Sequence, residues 1–378
     1  MSNNCLRWLD KNKPESPSAV YDLSIIEKNY LSLKRFFKDI EIFYAVKANS
    51  HKKIIDYLNK LGSSFDCASI EEVLMCINSN VSSDKISYGS TLKKEKDIEK
   101  AYNLGINLYA FDSIQELEKI YKKAPGSNVF CRLMVPNGGA EWPLSKKFGC
   151  NYKVAERLIL KAKACGLNPI GVSFHVGSQQ ISLKTWNKAI ELASRIFKNL
   201  SQKNIILNFL NIGGGIPATY SKKLISKKYY SSNIIKSINE NFGNLKPSRI
   251  IMEPGRFLVA DAGIIESEVI LVSDRGKTKN KRWVYIDVGR YNGLAETEDE
   301  AIHYEIKAKG YKKFTKENFI LAGPSCDSHD VIYKNKSCIL PSKIKIGDKL
   351  RIFSAGAYTT VYSSHFNGMK NISEYFIE

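Results

Sequence analysis

The chain has no uninterrupted apolar run near the ~18 residues that a membrane-spanning helix requires, so no membrane partner is expected. Its N-terminus, MSNNCLRWLDKNKPE, lacks the apolar core of a signal peptide, and the expectation is a soluble, cytoplasmic protein. No C-x-x-C pair and no zinc-like Cys/His spacing occurs, so no metal site is expected. The eight cysteines (Cys5, Cys67, Cys76, Cys131, Cys150, Cys165, Cys326 and Cys338) are scattered and read as free thiols. Internal repeats and low-complexity linkers are missing too. Acidic residues are few beside basic ones, 38 against 57, giving a formal net charge of +19. That excess invites a nucleic-acid reading. The lysines, however, are spread along polar faces, as in KKLISKKYY at 222–230, and Ile and Asn are abundant beside them. This is compositional bias rather than a binding patch, no nucleic-acid motif appears, and no nucleic-acid partner is expected.

What is present is core-forming material. With 378 residues, 43% hydrophobic and 11% aromatic, the chain suits two domains. Eight short apolar segments recur: EIFYAVKA (41–48), SSFDCAS (63–69), KISYGS (85–90), NLYAFDS (107–113), NVFCRLMV (128–135), PIGVSFHVGS (169–178), NFLNIGGG (208–215) and RIIMEPGR (249–256). Amphipathic helical stretches such as NYKVAERLILKAKACG (151–166) fill most gaps. Strand and helix alternating eight times predict a (β/α)8 TIM barrel, placed over 22–258. Beyond about residue 260 the segments alternate or run apolar between turns, which predicts a mostly antiparallel β-sandwich or barrel domain, residues 259–378 joined by 1–21.

The polar residues of interest fall at strand ends, where a TIM barrel keeps its chemistry. Lys47 closes the apolar run IFYAVKAN, where an ammonium is costly unless paired, neutralised or covalently used; a lysine reaching to water is the competing reading. GGG at 213–215 follows strand seven and lets backbone N–H groups approach an anion, although a plain glycine turn has the same pattern. EPGR at 253–256 ends strand eight, and Arg256 can hold a phosphate with two donors. Glu253 is either a structural partner of Arg256 or a carboxylate facing a ring nitrogen. His175, in SFHVGS, is either a satisfied core residue or a plane for stacking on an aromatic cofactor, with Ser178 nearby for a phosphate. Lysine, phosphate site, stacking imidazole and carboxylate together are the parts that pyridoxal phosphate needs, the Lys47 amine condensing with its aldehyde.

These residues resemble the fold-type III pyridoxal-phosphate-dependent decarboxylases, the family of ornithine and diaminopimelate decarboxylases. The resemblance runs from VYDL (20–23) to NISEYFI (371–377) through YAVKAN, FDCAS, SKKFG (145–149), SFHVGS, IGGGIP, EPGR, GPSCDSHD (323–330), GAYT (356–359) and FNG (366–368). It implies that Lys47 holds the cofactor, His175 stacks on its ring and Glu253 meets the pyridine nitrogen. Ser178, Gly213, Gly214, Gly215, Arg256 and Tyr358 would surround the phosphate, with Asp66, Glu72 and Arg132 supporting lysine and ring. It further implies a homodimer with shared active sites, in which Cys326 protonates the carbanion and Asp327 binds the substrate's distal amine. Phe366 would line that pocket, and Lys147 and Asp330 would bridge the subunits. Asp327 after Cys326 suits a bare ammonium, so the expected reaction is decarboxylation of L-ornithine to putrescine in polyamine biosynthesis. Lysine or dual activity, diaminopimelate decarboxylation, action on a conjugated diamino acid and an inactive regulatory homologue remain alternatives. Two positions depart from the eukaryotic pattern: Glu300, beside Asp299, replaces a second amine-binding Asp, and Asn211 stands where those enzymes have Asp.

Overall fold

A computed structural model describes residues 3–136, 138–142, 147–220, 225–274 and 282–378. The chain divides into two compact units.

The unit formed by Asn29–Pro217 and Leu224–Gly255 is a closed barrel. Its eight strands are Glu41–Ala45, Ser64–Cys67, Ile86–Tyr88, Leu108–Phe111, Asn128–Leu133, Asn168–Phe174, Phe209–Asn211 and Arg249–Met252. Every neighbouring pair is parallel, and Ile251 and Met252 close the ring against Glu41 and Ile42. Each predicted apolar segment supplies one strand. The strands are short and buried on both faces because helices cover the outside and side chains fill the inside. Phe43, Leu108, Ala110, Phe130, Phe209 and Ile251 form the interior plug.

Local chemistry starts the helices between the strands. Ser69, Ser113, Asn151, Ser182 and Ser226 each accept a backbone N–H of the helix they open. The helices Leu183–Ser201 and Lys227–Phe242 are fastened by Trp186 Nε1, which donates to Tyr230 Oη at 2.6 Å, while Tyr230 donates to the Gln180 carbonyl at 2.8 Å.

The second unit gathers Met1–Lys28, Ala218–Lys223 and Arg256–Glu378. Its eight-stranded sheet is mostly antiparallel around the long strand Gly263–Ser273. Ser18–Asp22 pairs antiparallel with that strand and parallel with Ser373–Ile377, and Trp283–Ile286 pairs parallel with Lys316–Ala322. A register shift between Val269 and Leu271 bends the long strand, so its two halves serve different neighbours. The N-terminal segment also forms a helix, Asn3–Asn12, which buries Cys5 and Leu9 against Val20, Ile264 and Phe353.

Candidate active site

Lys47 leaves the first barrel strand in a single 3-10 turn, Val46–Ala48. Val46 and Ala48 are buried, but the Lys47 side chain is 41% exposed. The apolar run therefore fixes the backbone, and the lysine emerges at the C-terminal mouth, the chemical end of this architecture. Its Nζ lies 3.9 Å from Asp66 Oδ2, at the end of strand two. Asp66 is buried and its Oδ1 has no hydrogen-bond partner among the described residues. Burial, then the charge of Glu253, pushes the Asp66 carboxyl well above its ordinary range, and Lys47 opposes that shift. Glu72 reaches back from its helix to the Ala68 N–H at 2.6 Å, and burial raises its carboxyl as well.

His175 directly follows strand six, Asn168–Phe174. Its Nδ1 accepts the Gly177 N–H at 3.0 Å, leaving the ring proton on Nε2. Burial first, then the charges of Arg132 and Lys47, holds its pKa well below 6.5. The ring is thus a neutral plane. The sign of the resulting pH effect follows. Above the unfolded pKa neither state carries the proton, and as pH falls below about 6.5 the unfolded chain takes it up first, so stability is lost. The apoprotein should lose more stability than a His175→Gln variant between about pH 7.5 and 5, as urea denaturation would measure.

Gly213, Gly214 and Gly215 form a turn that only glycine fits. A Cβ there would meet the Phe174 carbonyl oxygen at 2.1 Å, the Glu253 carbonyl oxygen at 2.7 Å and the Gly177 carbonyl oxygen at 2.5 Å. Gly213 and Gly215 also have φ of +70° and +108°. Asn211 ties this turn to Glu253: its Oδ1 accepts the Gly213 N–H at 2.8 Å and its Nδ2 donates to Glu253 Oε1. An ionised aspartate could not make that second bond, so the departure at Asn211 orients Glu253. Ser178 opens the short strand Ser178–Gln180 directly after the His175 loop. Arg132 lies in strand five, its guanidinium 5.0 Å over the Phe148 ring. Lys47, Asp66, Arg132, His175, the glycine turn and Glu253 thus occupy barrel strands or the loops that leave them.

The second unit holds the other candidates. Arg256 is buried, its two terminal nitrogens each donate to Glu296 at 2.6 Å, and Nη1 also donates to Tyr220 Oη at 2.9 Å. The Tyr358 ring lies 4.6 Å from the guanidinium carbon. Burial opposes the Arg256 charge, but Tyr220, Glu296 and Tyr358 outweigh it. Cys326 is exposed, with its backbone N–H held by Asn367 Oδ1 at 3.0 Å and its Sγ receiving Asn367 Nδ2 at 3.3 Å. Asp327 is kept acidic, first by the His329 N–H and then by Tyr291. Phe366 packs on Tyr291 with ring centroids 4.9 Å apart. Asp330 is buried and accepts the Arg290 and Ser325 N–H groups, so it shapes the Cys326 loop from within. Lys147 lies over the Phe148 ring, while Ser145 and Lys146 of SKKFG fall outside the described residues.

Glu300 is engaged elsewhere than its expected role requires. Its carboxylate accepts the backbone N–H groups of Lys334, Asn335 and Lys336, each at 2.6 Å, and Asp299 and Glu300 both have positive φ. The acid in this stretch that meets a candidate site residue is Glu296, which sequence reasoning passed over. AETEDE shows four acids in five positions, and only the buried pairing with Arg256 sets Glu296 apart from its neighbours.

Residues 23–260 match the family model described as pyridoxal-dependent decarboxylase, pyridoxal binding domain. The chain is 31% identical to the lysine/ornithine decarboxylase of Selenomonas ruminantium, over 97% of this chain and 91% of that protein. It is similar to the solved structure of SrLDC in complex with PLP and cadaverine, at 30% identity and a TM-score of 0.89, over 100% of this chain and 94% of that one. It is also similar to the arginine decarboxylase of Paramecium bursaria Chlorella virus, at 27% identity and a TM-score of 0.91, over the full length of both chains.

Proposed function

Given that this chain belongs to the pyridoxal-dependent decarboxylases, with pyridoxal phosphate as cofactor, we propose that it decarboxylates L-ornithine to putrescine and CO2 and serves polyamine biosynthesis. Asp327 carries the substrate reading: an acidic side chain next to Cys326, suited to a bare distal ammonium.

The residues present fit the cofactor. The 213–215 turn leaves no room for a side chain, which suits close approach of backbone donors to a phosphate. Asp66 Oδ1 is a buried acceptor without a partner among the described residues, and His175 is an uncharged plane. In this reading Lys47 binds the cofactor aldehyde, the amides of Gly213, Gly214 and Gly215 hold its phosphate with Ser178, and Arg256 and Tyr358 add charge and a ring. His175 orients the pyridine plane, with Asp66 and Arg132 supporting lysine and ring. Glu253, aligned by Asn211, keeps a proton at the pyridine nitrogen. The bound cofactor supplies the electron sink for the pair left by departing CO2. Stabilising that charge more than the ground state is the source of rate. Cys326 delivers a proton from Sγ to the substrate Cα, Phe366 lines the pocket, and Asp327 binds the distal ammonium. The active protein is a homodimer in which the Cys326–Asp327 segment serves the partner's site, working in the cytoplasm.

A second reading, dual activity on lysine and ornithine, gains support from Glu300. With its oxygens taken by the 334–336 amides, amine recognition falls on Asp327. One extra methylene is then worth only about 1–3 kcal/mol. Competition among ornithine, lysine and arginine, with amine products resolved by mass, separates the readings. Ornithine specificity predicts putrescine in large excess; comparable cadaverine establishes the dual enzyme, and agmatine as main product contradicts both. An inactive regulatory homologue would be colourless at about 420 nm after loading with cofactor.

A further inference from the structure

Lys93 is a fully buried lysine that the proposed chemistry does not use. It lies in the loop after barrel strand three, on the same end of the barrel as Lys47. Its Nζ donates to the carbonyls of Ser90 at 2.6 Å and Ala110 at 2.8 Å, and lies 2.9 Å from Glu116 Oε1. Glu116 also holds Lys119, at 2.5 Å, and the Tyr88 ring lies 5.3 Å from the Lys93 ammonium. Burial pushes the Lys93 amine down to about 8, against Glu116, which pulls it up. A buried ammonium is retained only when its donors are met, and here they span three elements: its own loop, the end of the Leu108–Phe111 strand and the Ile114–Lys123 helix.

That loop begins at Gly89, and Gly89 touches the active site. Its N–H donates to the Cys67 carbonyl at 3.0 Å, and a Cβ on it would sit 2.0 Å from Asp66 Oδ1 and 2.9 Å from Asp66 Cγ. The Gly89 backbone is therefore a wall against the Asp66 carboxylate, whose other oxygen is 3.9 Å from Lys47 Nζ. One end of the wall is fixed to strand two by the Gly89–Cys67 bond. The other is fixed to strand four by Lys93.

We propose that Lys93 is a positioning residue: it clamps the Gly89–Lys93 loop behind Asp66 and so sets the Asp66–Lys47 contact that tunes the basicity of the Lys47 nitrogen. Lys93 touches neither substrate nor cofactor in this role, and acts through Gly89 and Asp66. Lys47 and the Asp66 carboxyl each favour the other's charged form, Lys47 opposing the upward push that burial gives Asp66. Loosening the wall lets Asp66 turn away, and the nitrogen becomes easier to deprotonate. The inference rests on Lys47 as the cofactor lysine.

The test uses the holoenzyme and its visible spectrum. Lys93→Met is made together with Glu116→Met, so that no unpaired charge is left buried while the ties to Ser90 and Ala110 are lost. Gly89→Ala pushes on Asp66 directly. Ile120→Ala, in the same helix as Glu116, is the control for general loosening. The pH midpoint of the visible band should fall by at least about one unit in the double variant, shift by a similar amount in Gly89→Ala, and stay within about 0.2 unit in Ile120→Ala. kcat should fall at least about tenfold in the first two with KM little changed. A midpoint that is unmoved or raised in the double variant, or that moves equally in Ile120→Ala, overturns the positioning role. Loss of the visible band in the unmutated protein would strike the assignment of Lys47 instead.

Discussion

Lys47→Ala is expected to abolish turnover, by more than about a thousandfold, and to remove the visible absorbance of the cofactor-loaded protein, while leaving the fold intact. The two halves of this expectation have separate physical origins. The backbone at 46–48 is fixed by buried Val46 and Ala48 and by the parallel pairing of the preceding strand with Ser64–Cys67. The lysine side chain is 41% exposed, so its truncation should change stability by no more than about 0.5 kcal/mol. What is lost is the amine at the barrel mouth, beside a buried carboxylate. Asp66 already resists ionisation through burial and the charge of Glu253, and Lys47 is the first charge opposing that. Without the lysine, Asp66 should retain its proton to still higher pH. Difference spectroscopy and turnover, read with a thermal melt on the same samples, check all three statements. A variant that keeps both band and turnover contradicts the site assignment.

Glu296→Ala is expected to have the largest effect on stability. Arg256 is 4% exposed and spends both terminal nitrogens on Glu296 at 2.6 Å. Removing the carboxylate leaves a buried guanidinium without the two charge-assisted bonds that Glu296 supplies, and neither Tyr220 nor the Tyr358 ring beside it carries a formal charge. Breaking one partner out of a buried pair typically costs about 3–5 kcal/mol, because the survivor keeps its desolvation penalty and loses its compensation. A surface pair such as Lys52–Asp56, four residues apart on one helix, should change stability by at most about 0.5 kcal/mol when broken. Urea denaturation of Glu296→Ala, with Asp56→Ala as comparison, measures the contrast. Equal effects would show that Glu296 does not carry the Arg256 charge. The same variant should also loosen cofactor binding, since Arg256 is the cation expected at the phosphate.

Much of this was readable in the linear chain, for identifiable reasons. Every barrel strand was visible because a strand buried on both faces reads as a short continuous apolar run, and each such run here ends in a polar or glycine signal. Lys47, His175, the 213–215 turn and Glu253 stand out as candidates because this architecture places chemistry at strand ends, so position along the segment carries the meaning. The residues that stayed hidden share another property. Lys93 sits in TLKKEKD, where a buried lysine and a solvated one look alike. Glu296 lies among three other acids, and the one expected to act, Glu300, turns its carboxylate onto the 334–336 amides. Asn211 is in the sequence only a departure from Asp, and its two hydrogen bonds, which place it between Gly213 and Glu253, are not legible there. Periodicity reports which face of an element is apolar. It says nothing of which charged side chain in an irregular loop turns inward, because that depends on partners far away in sequence.

The central claim is that the Lys47 nitrogen carries the cofactor. Borohydride reduction of the loaded protein, followed by proteolysis and mass mapping, tests it most directly. The prediction is one pyridoxyl phosphate group per chain, on the peptide that spans Lys47. A label on any other lysine, Lys93 included, or cofactor that washes away unreduced and unattached, would contradict it.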